Sequence, residues 1–145
     1  RTESLAGYIT FEKEILYFDE VEVITAEVVD QMTGLTLHHP DRIAELDLKI
    51  EDMPNGYYIH NPSTETIPLQ LTYETENTFT DVHLLFVEDS EGNRRYTTTK
   101  QEEYMEHLHT SSSDGSFHGE VSYPVFIKVN DQNVISITEI FLFTQ

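Results

Sequence analysis

Short bursts of aromatic and β-branched residues, separated by turn-forming residues, set the pattern of this chain. Gly7-Tyr8-Ile9-Thr10-Phe11 and Ile15-Leu16-Tyr17-Phe18 read as two strands joined by the charged turn Glu12-Lys13-Glu14. The second runs on through Val21-Glu22-Val23-Ile24-Thr25, where apolar and polar residues alternate, so one face is buried and the other carries acids. Tyr57-Tyr58-Ile59-His60 and Ile67-Pro68-Leu69-Gln70-Leu71 flank the turn-rich Asn61–Glu65 segment. Pro68 has no N–H for a ladder, which places its strand at a sheet edge. Phe79 to Val87 reads as one further strand, with Leu84–Val87 buried on both faces and Ser90–Asn93 turning it back. The last hairpin carries the strongest signal: Val125–Val129, the turn Asn130–Asn133, then Val134–Phe143.

Helical periodicity interrupts this pattern in two places. Residues 26–55 read as a helical insertion, with a turn or two over Ala26–Met32 and a short helix over Pro40–Leu46 that Met53-Pro54-Asn55-Gly56 stops. The second place is Thr99–Leu108. Thr99 is its expected N-cap, Glu102 three residues on completes a capping box, and Tyr104, Met105 and Leu108 share one stripe. A serine-rich loop, Thr110–Ser116, follows. The string predicts a mainly β, α+β chain: a small antiparallel, OB-like β-barrel with two to three short helices, or an open antiparallel sheet with helices on one face. At 145 residues it reads as a single β-rich domain spanning 1–145.

Charge narrows the partners. With 27 acidic against 8 basic side chains the formal charge is −19, which repels nucleic acid and anionic membrane surfaces and favours cations and basic proteins. The chain has no cysteine, hence no disulfide framework, zinc-thiolate site or thiol nucleophile. No apolar run approaches the roughly 18 residues of a membrane-spanning helix.

Tyr17-Phe18-Asp19-Glu20-Val21-Glu22, Asp52-Met53-Pro54-Asn55-Gly56-Tyr57-Tyr58-Ile59 and Tyr96-Thr97-Thr98-Thr99-Lys100 precede the second helix and the Val129–Ile137 hairpin. Together these segments resemble a family of small secreted proteins and lipoproteins from Bacillus-type bacteria, over roughly the whole chain. The resemblance implies an extracytoplasmic address, secreted or lipid-anchored, with a signal or tether ahead of Arg1. It brings no catalytic or ligand-binding residues with it.

Candidate chemistry is sparse. Glu103 and His107 stand four apart on the predicted helix and can reach one ion, although no HExxH or comparable spacing surrounds the histidines. Asp89, Glu91 and Asn93 offer alternating oxygens as calcium loops do, but Arg94-Arg95 stand where a bidentate glutamate belongs. Both readings compete with plainer ones, surface histidines and an acid-capped turn. No cofactor is therefore expected beyond weak Ca²⁺ binding. Glu20, Glu22 and Glu139 are the acids best held on strands, and a solvated strand face accounts for them more simply than a hydrolytic carboxylate pair does. No GxSxG surrounds any serine. Tyr57, Tyr58, Tyr73 and Tyr96, with Phe117, are the aromatics from which a ligand surface can be built, although strand alternation turns half of them into the core. The resulting expectation is a non-enzymatic, extracytoplasmic binding or interaction module with an extracellular or envelope protein partner. Its rivals are a calcium-responsive accessory protein and a carboxylate-dependent hydrolase.

Overall fold

The computed structural model describes residues 1–25, 40–54, 56–88, 94–112 and 114–140. Across these residues the chain is mainly β, with helices beside a large sheet. Strands β1 (Thr2–Glu12) and β2 (Ile15–Glu20) form the predicted hairpin, with Lys13 in the left-handed region at its turn. β3 (Glu22–Thr25) continues the same line after a break at Val21, whose N–H still reaches Ala6 O at 2.9 Å. It then peels away to pair with β4 (Tyr57–His60) in a separate two-stranded sheet.

The remaining strands are β5 (Ile67–Gln70), β6 (Glu76–Thr80), β7 (Arg95–Thr98), β8 (Val125–Asn130) and β9 (Asn133–Glu139). The seven-stranded sheet runs β5-β2-β1-β8-β9-β6-β7, and a β5–β9 pairing closes a ring of hydrogen bonds through its first five members. The sheet is mixed, because β6 and β5 both lie parallel to β9. β6 and β7 hang outside the ring. Pro68 is accommodated as an edge position. Gln70 N–H, two residues on and facing the same side, donates to Gln132 O at 2.8 Å, so Pro68 faces beyond the start of β9 at Asn133, where no ladder donor is needed.

Helix α1 covers Pro40–Glu45, as expected, and a short 3-10 turn covers Ile50–Asp52. The helical turns expected over Ala26–Met32 lie outside the described residues. Helix α2 covers Gln101–Ser111, about a turn further than the sequence pattern suggests. Its N-terminus is secured differently from the predicted capping box. Lys100 is the N-cap and makes no side-chain cap bond; Thr98 Oγ1 instead accepts from Lys100 N–H at 3.0 Å and donates to Glu103 at 2.6 Å. Tyr104, His107 and Leu108 form the buried stripe, with Met105 half-buried at its edge.

Two apolar clusters hold the fold together. The larger runs from the ring interior, with Ile9, Leu16, Phe18, Ile127 and Ile137, to Phe79 of β6 and Tyr104 of α2, all at most 1% exposed. On the opposite face of β1 and β8, the β3/β4 hairpin packs Val23, Tyr57 and Ile59 near Phe126 and Ala6. Burying each large side chain contributes about 1.5–3 kcal/mol, so the larger cluster dominates stability.

The strand expected over Phe79–Val87 ends at Thr80. Asp81 is 0% exposed, and its carboxylate accepts the backbone N–H groups of Leu85, Phe86 and Val87 at 2.9, 2.7 and 2.8 Å. An acid that gathers three amides curls the chain into a loop, because those amides can no longer serve a ladder. Leu84 takes a φ of 54°, and Leu84 and Leu85 are each 38% exposed, not buried on both faces.

Candidate functional site

The described residues contain one deeply buried ionisable cluster, built where α2 crosses β6 and β9. Glu139 is 2% exposed. Its Oε2 accepts from Tyr123 Oη at 2.5 Å and lies 2.7 Å from His107 Nε2, while Oε1 accepts Thr80 N–H at 3.1 Å. Glu139 is thus not on a solvated strand face. The reason is a bulge: Val129 pairs with Val134 but Lys128 pairs with Ser136, so Ile135 is an extra residue and the inward parity of β9 changes there. His107 is likewise no surface histidine. It is 4% exposed and stacks on Phe79 with centroids 4.1 Å apart. Burial, and then the charge of Glu139, push the Tyr123 hydroxyl far above the usual value near 10, and the same two causes raise Tyr104.

This cluster touches the surface at one place. Ser111 Oγ lies 3.4 Å from His107 Nδ1 and borders an open cleft of about 520 Å³ that Tyr123 also lines. Serine, histidine and glutamate in sequence invite a catalytic reading. The local field opposes it. Ser111 is the last residue of α2, where carbonyl groups project and the helix dipole is negative, so an oxyanion there would be repelled. Glu139 has three donors around it and is closed to water. The arrangement supports a role in stability and in fixing α2 on the sheet.

The metal candidates do not converge. Glu103 Oε1 accepts from Tyr96 Oη at 2.8 Å and from Thr98 Oγ1 at 2.6 Å, whereas His107 is committed to Glu139. Those bonds to Thr98 and Tyr96 hold the Glu103 carboxyl below its usual range. No group of three or more metal-ligating residues occurs among the described residues. Asp89, Glu91 and Asn93 lie outside them.

The four tyrosines are dispersed. Tyr57 packs into the outer apolar cluster, and Tyr58, its neighbour on β4, points to the opposite face. Tyr73 is 99% exposed in a turn. Tyr96 packs against the core, stacked on Phe86 at 5.1 Å. They form no common ligand surface.

The acids of β2 and β3, by contrast, share one cavity. Where β2 ends and β3 peels away, a cavity of about 420 Å³ opens toward the end of β4 and the residues that follow it. Asp19, Glu20, Glu22 and Glu65 line it, with Pro62 and Ile67 as apolar wall. Ile67 is 50% exposed, a large aliphatic surface left beside carboxylates. Asn61 Nδ2 donates to Asp19 Oδ2 at 3.1 Å, but the buried Oδ1 of Asp19 has no partner among the described residues. Burial, and then the charge of Asp19, raise the facing Tyr8 hydroxyl. At one side, Arg42 from α1 grips Glu22 through Nε at 2.9 Å and Nη2 at 3.1 Å. The sequence carried half of this site, in the contiguous acids Asp19-Glu20 and Glu22. The other half comes from the register that sets Glu22 opposite His60, a long-range pairing that no local pattern announces.

No protein-family model, no curated protein and no solved structure matches this chain. No helix among the described residues is long and apolar enough to cross a membrane.

Proposed function

We propose that the protein is a non-enzymatic binding module that takes a positively charged segment of a partner protein into the acid-lined cavity at Asp19–Glu22. The observation that carries this reading is the gathering of Asp19, Glu20, Glu22 and Glu65 around one cavity. The surrounding carboxylates and the formal charge of −19 concentrate cations there, and Pro62 and Ile67 suit the methylene stem of a basic side chain. Work outside the cytoplasmic membrane, as a secreted or lipid-anchored protein beside an envelope partner, is the address that the likeness to small secreted proteins and lipoproteins supports.

The test is a ¹⁵N-resolved NMR titration with a short peptide containing lysine and arginine, at fixed ionic strength. Saturable shifts confined to residues 18–22 and 60–67, and lost in Asp19→Asn, are expected. Shifts spread over all acidic surfaces that vanish with added salt would show that the charge only solvates the protein.

A further inference from the structure

The cleft at the end of α2 is built in two tones. Its floor is apolar: Leu108 and Val121 are each 5% exposed, and half-buried Phe117 and Tyr123 add aromatic surface. Tyr123 turns its hydroxyl inward to Glu139, so it offers the cleft its ring and not its polar end. The rim is polar, with Asp114, His118, Glu120 and four serines. Both walls are fixed before anything binds. Phe11 N–H donates to Gly119 O at 2.8 Å and Val121 N–H to Ile9 O at 3.1 Å, which ties one wall to β1. Gly119 has a φ of 100°, and a Cβ there would lie 2.8 Å from Phe11 O, so only glycine permits this approach. The bond between His107 and Glu139 anchors the other wall, and Phe117 N–H donates to His109 Nδ1 at 3.2 Å across the two.

The rim discriminates among ligand classes. An anion meets the carboxylates of Asp114 and Glu120 and the negative end of the α2 dipole. A metal ion needs several ligands converging on one point, and no group of three or more metal-ligating residues occurs among the described residues. A wholly apolar ligand strips water from the carboxylates and serines and gives them no partner. A sugar hydroxyl both donates and accepts, which matches carboxylates that only accept beside serine hydroxyls that do both. Asp114 is already oriented, because its Oδ1 accepts Ser116 N–H at 3.0 Å. We propose that this cleft is a carbohydrate-binding site: a pyranose ring lays its apolar C–H face on Phe117 and Tyr123, and its hydroxyls meet Asp114, Glu120 and the flanking serines. The negative face of an aromatic ring attracts those C–H bonds, and the cleft of about 520 Å³ has the size of a small-molecule site. It shares no lining residue with the acid-lined cavity, so it stands or falls apart from the function proposed above.

The probes are the methyl glycosides of glucose, galactose, mannose and N-acetylglucosamine, with sorbitol as an open-chain polyol that lacks a rigid apolar face. Each is titrated to high millimolar concentration into wild type, Phe117→Leu and Asp114→Asn and followed by ¹⁵N-resolved NMR, with amide spectra confirming that every variant is folded. At least one glycoside should give saturable shifts confined to residues 108–112 and 114–123, and sorbitol should give none. Phe117→Leu keeps an apolar side chain but removes the ring, and should weaken that glycoside about three- to tenfold. Asp114→Asn keeps the shape but replaces one acceptor oxygen with a donor, and should weaken it about tenfold. No shift with any of the glycosides would overturn the proposal, as would an equal response to sorbitol. Affinity unchanged in both variants would place the sugar elsewhere and overturn the cleft as its site. Tighter binding there of a peptide rich in lysine and arginine would make the cleft a cation site and overturn the carbohydrate assignment.

Discussion

Replacing Glu139 by glutamine tests how the buried cluster is wired. In the wild type one carboxylate serves three donors: Tyr123 Oη–H and His107 at Oε2, and Thr80 N–H at Oε1. Glutamine has one carbonyl oxygen. If that oxygen keeps Thr80, the new NH₂ group faces His107 and Tyr123. His107 can adapt by carrying its proton on Nδ1, toward Ser111, and accepting at Nε2. Tyr123 adapts less well, because its hydroxyl proton loses the carboxylate acceptor and has only the cleft side to turn to. Exchanging two charge-assisted bonds for neutral ones, and displacing one donor, together cost roughly 2–4 kcal/mol. Urea unfolding followed by circular dichroism at pH 7 measures this as a lower midpoint at an unchanged slope. Tyr123→Phe supplies the decisive second step. It removes a good bond in the wild type but removes the displaced donor in Glu139→Gln, so the double variant should be more stable than additivity predicts by over about 1 kcal/mol. A Glu139→Gln cost below about 1 kcal/mol, or additivity within about 0.5 kcal/mol, would refute the wiring described here.

Three further outcomes are expected. Burial alone would raise the Asp81 carboxyl, but the amides of Phe86, Val87 and Leu85 outweigh it and hold the group below its usual range. It therefore contributes stability above the unfolded value near 4 and loses it as pH falls through the lower folded value, so an acid titration of Asp81→Asn should be flatter below pH 4 than that of wild type. Tyr104 and Tyr123 are shifted upward, so their burial opposes folding once pH exceeds the unfolded value near 10. Their phenolate absorbance at about 295 nm should appear only together with alkaline unfolding; titration of every tyrosine in a still-folded protein would contradict this. Gly7→Ala should cost over about 3 kcal/mol, because its Cβ would lie 2.4 Å from Asp19 O and 2.5 Å from the Phe18 ring; a thermal midpoint within a few degrees of wild type would show that β1 and β2 can separate to admit it.

Local pattern made β1, β2, β4, α2 and the β8–β9 hairpin legible, because each buries one face at a regular period. It failed where a single side chain or a single extra residue overrode the period. Asp81 captures three amides and turns an apolar run that reads as strand into a loop. Ile135, squeezed out of register against Lys128 and Val129, moves Glu139 from an outward to an inward position and creates the buried cluster. The capping box expected at Thr99 gave way to Thr98 because the latter also reaches Glu103. The cavity was legible only as a run of acids. Its walls depend on β3 leaving the main sheet after Val21, and nothing in the alternation of Val21–Thr25 distinguishes a strand that continues from one that departs.

The placement of β1 beside β8 has a consequence for how the molecule comes into being. Thr2 to Gly7 lie against Val125 to Asn130, so the centre of the main sheet joins segments from opposite ends of the described chain. Closing that contact requires ordering a very long loop before any reward is gained, which makes folding slow compared with helical proteins of similar size. During synthesis β1 and β2 are made long before β8 exists. The growing polypeptide therefore cannot close this contact until β8 is available, and it stays exposed to proteases for as long as that lasts.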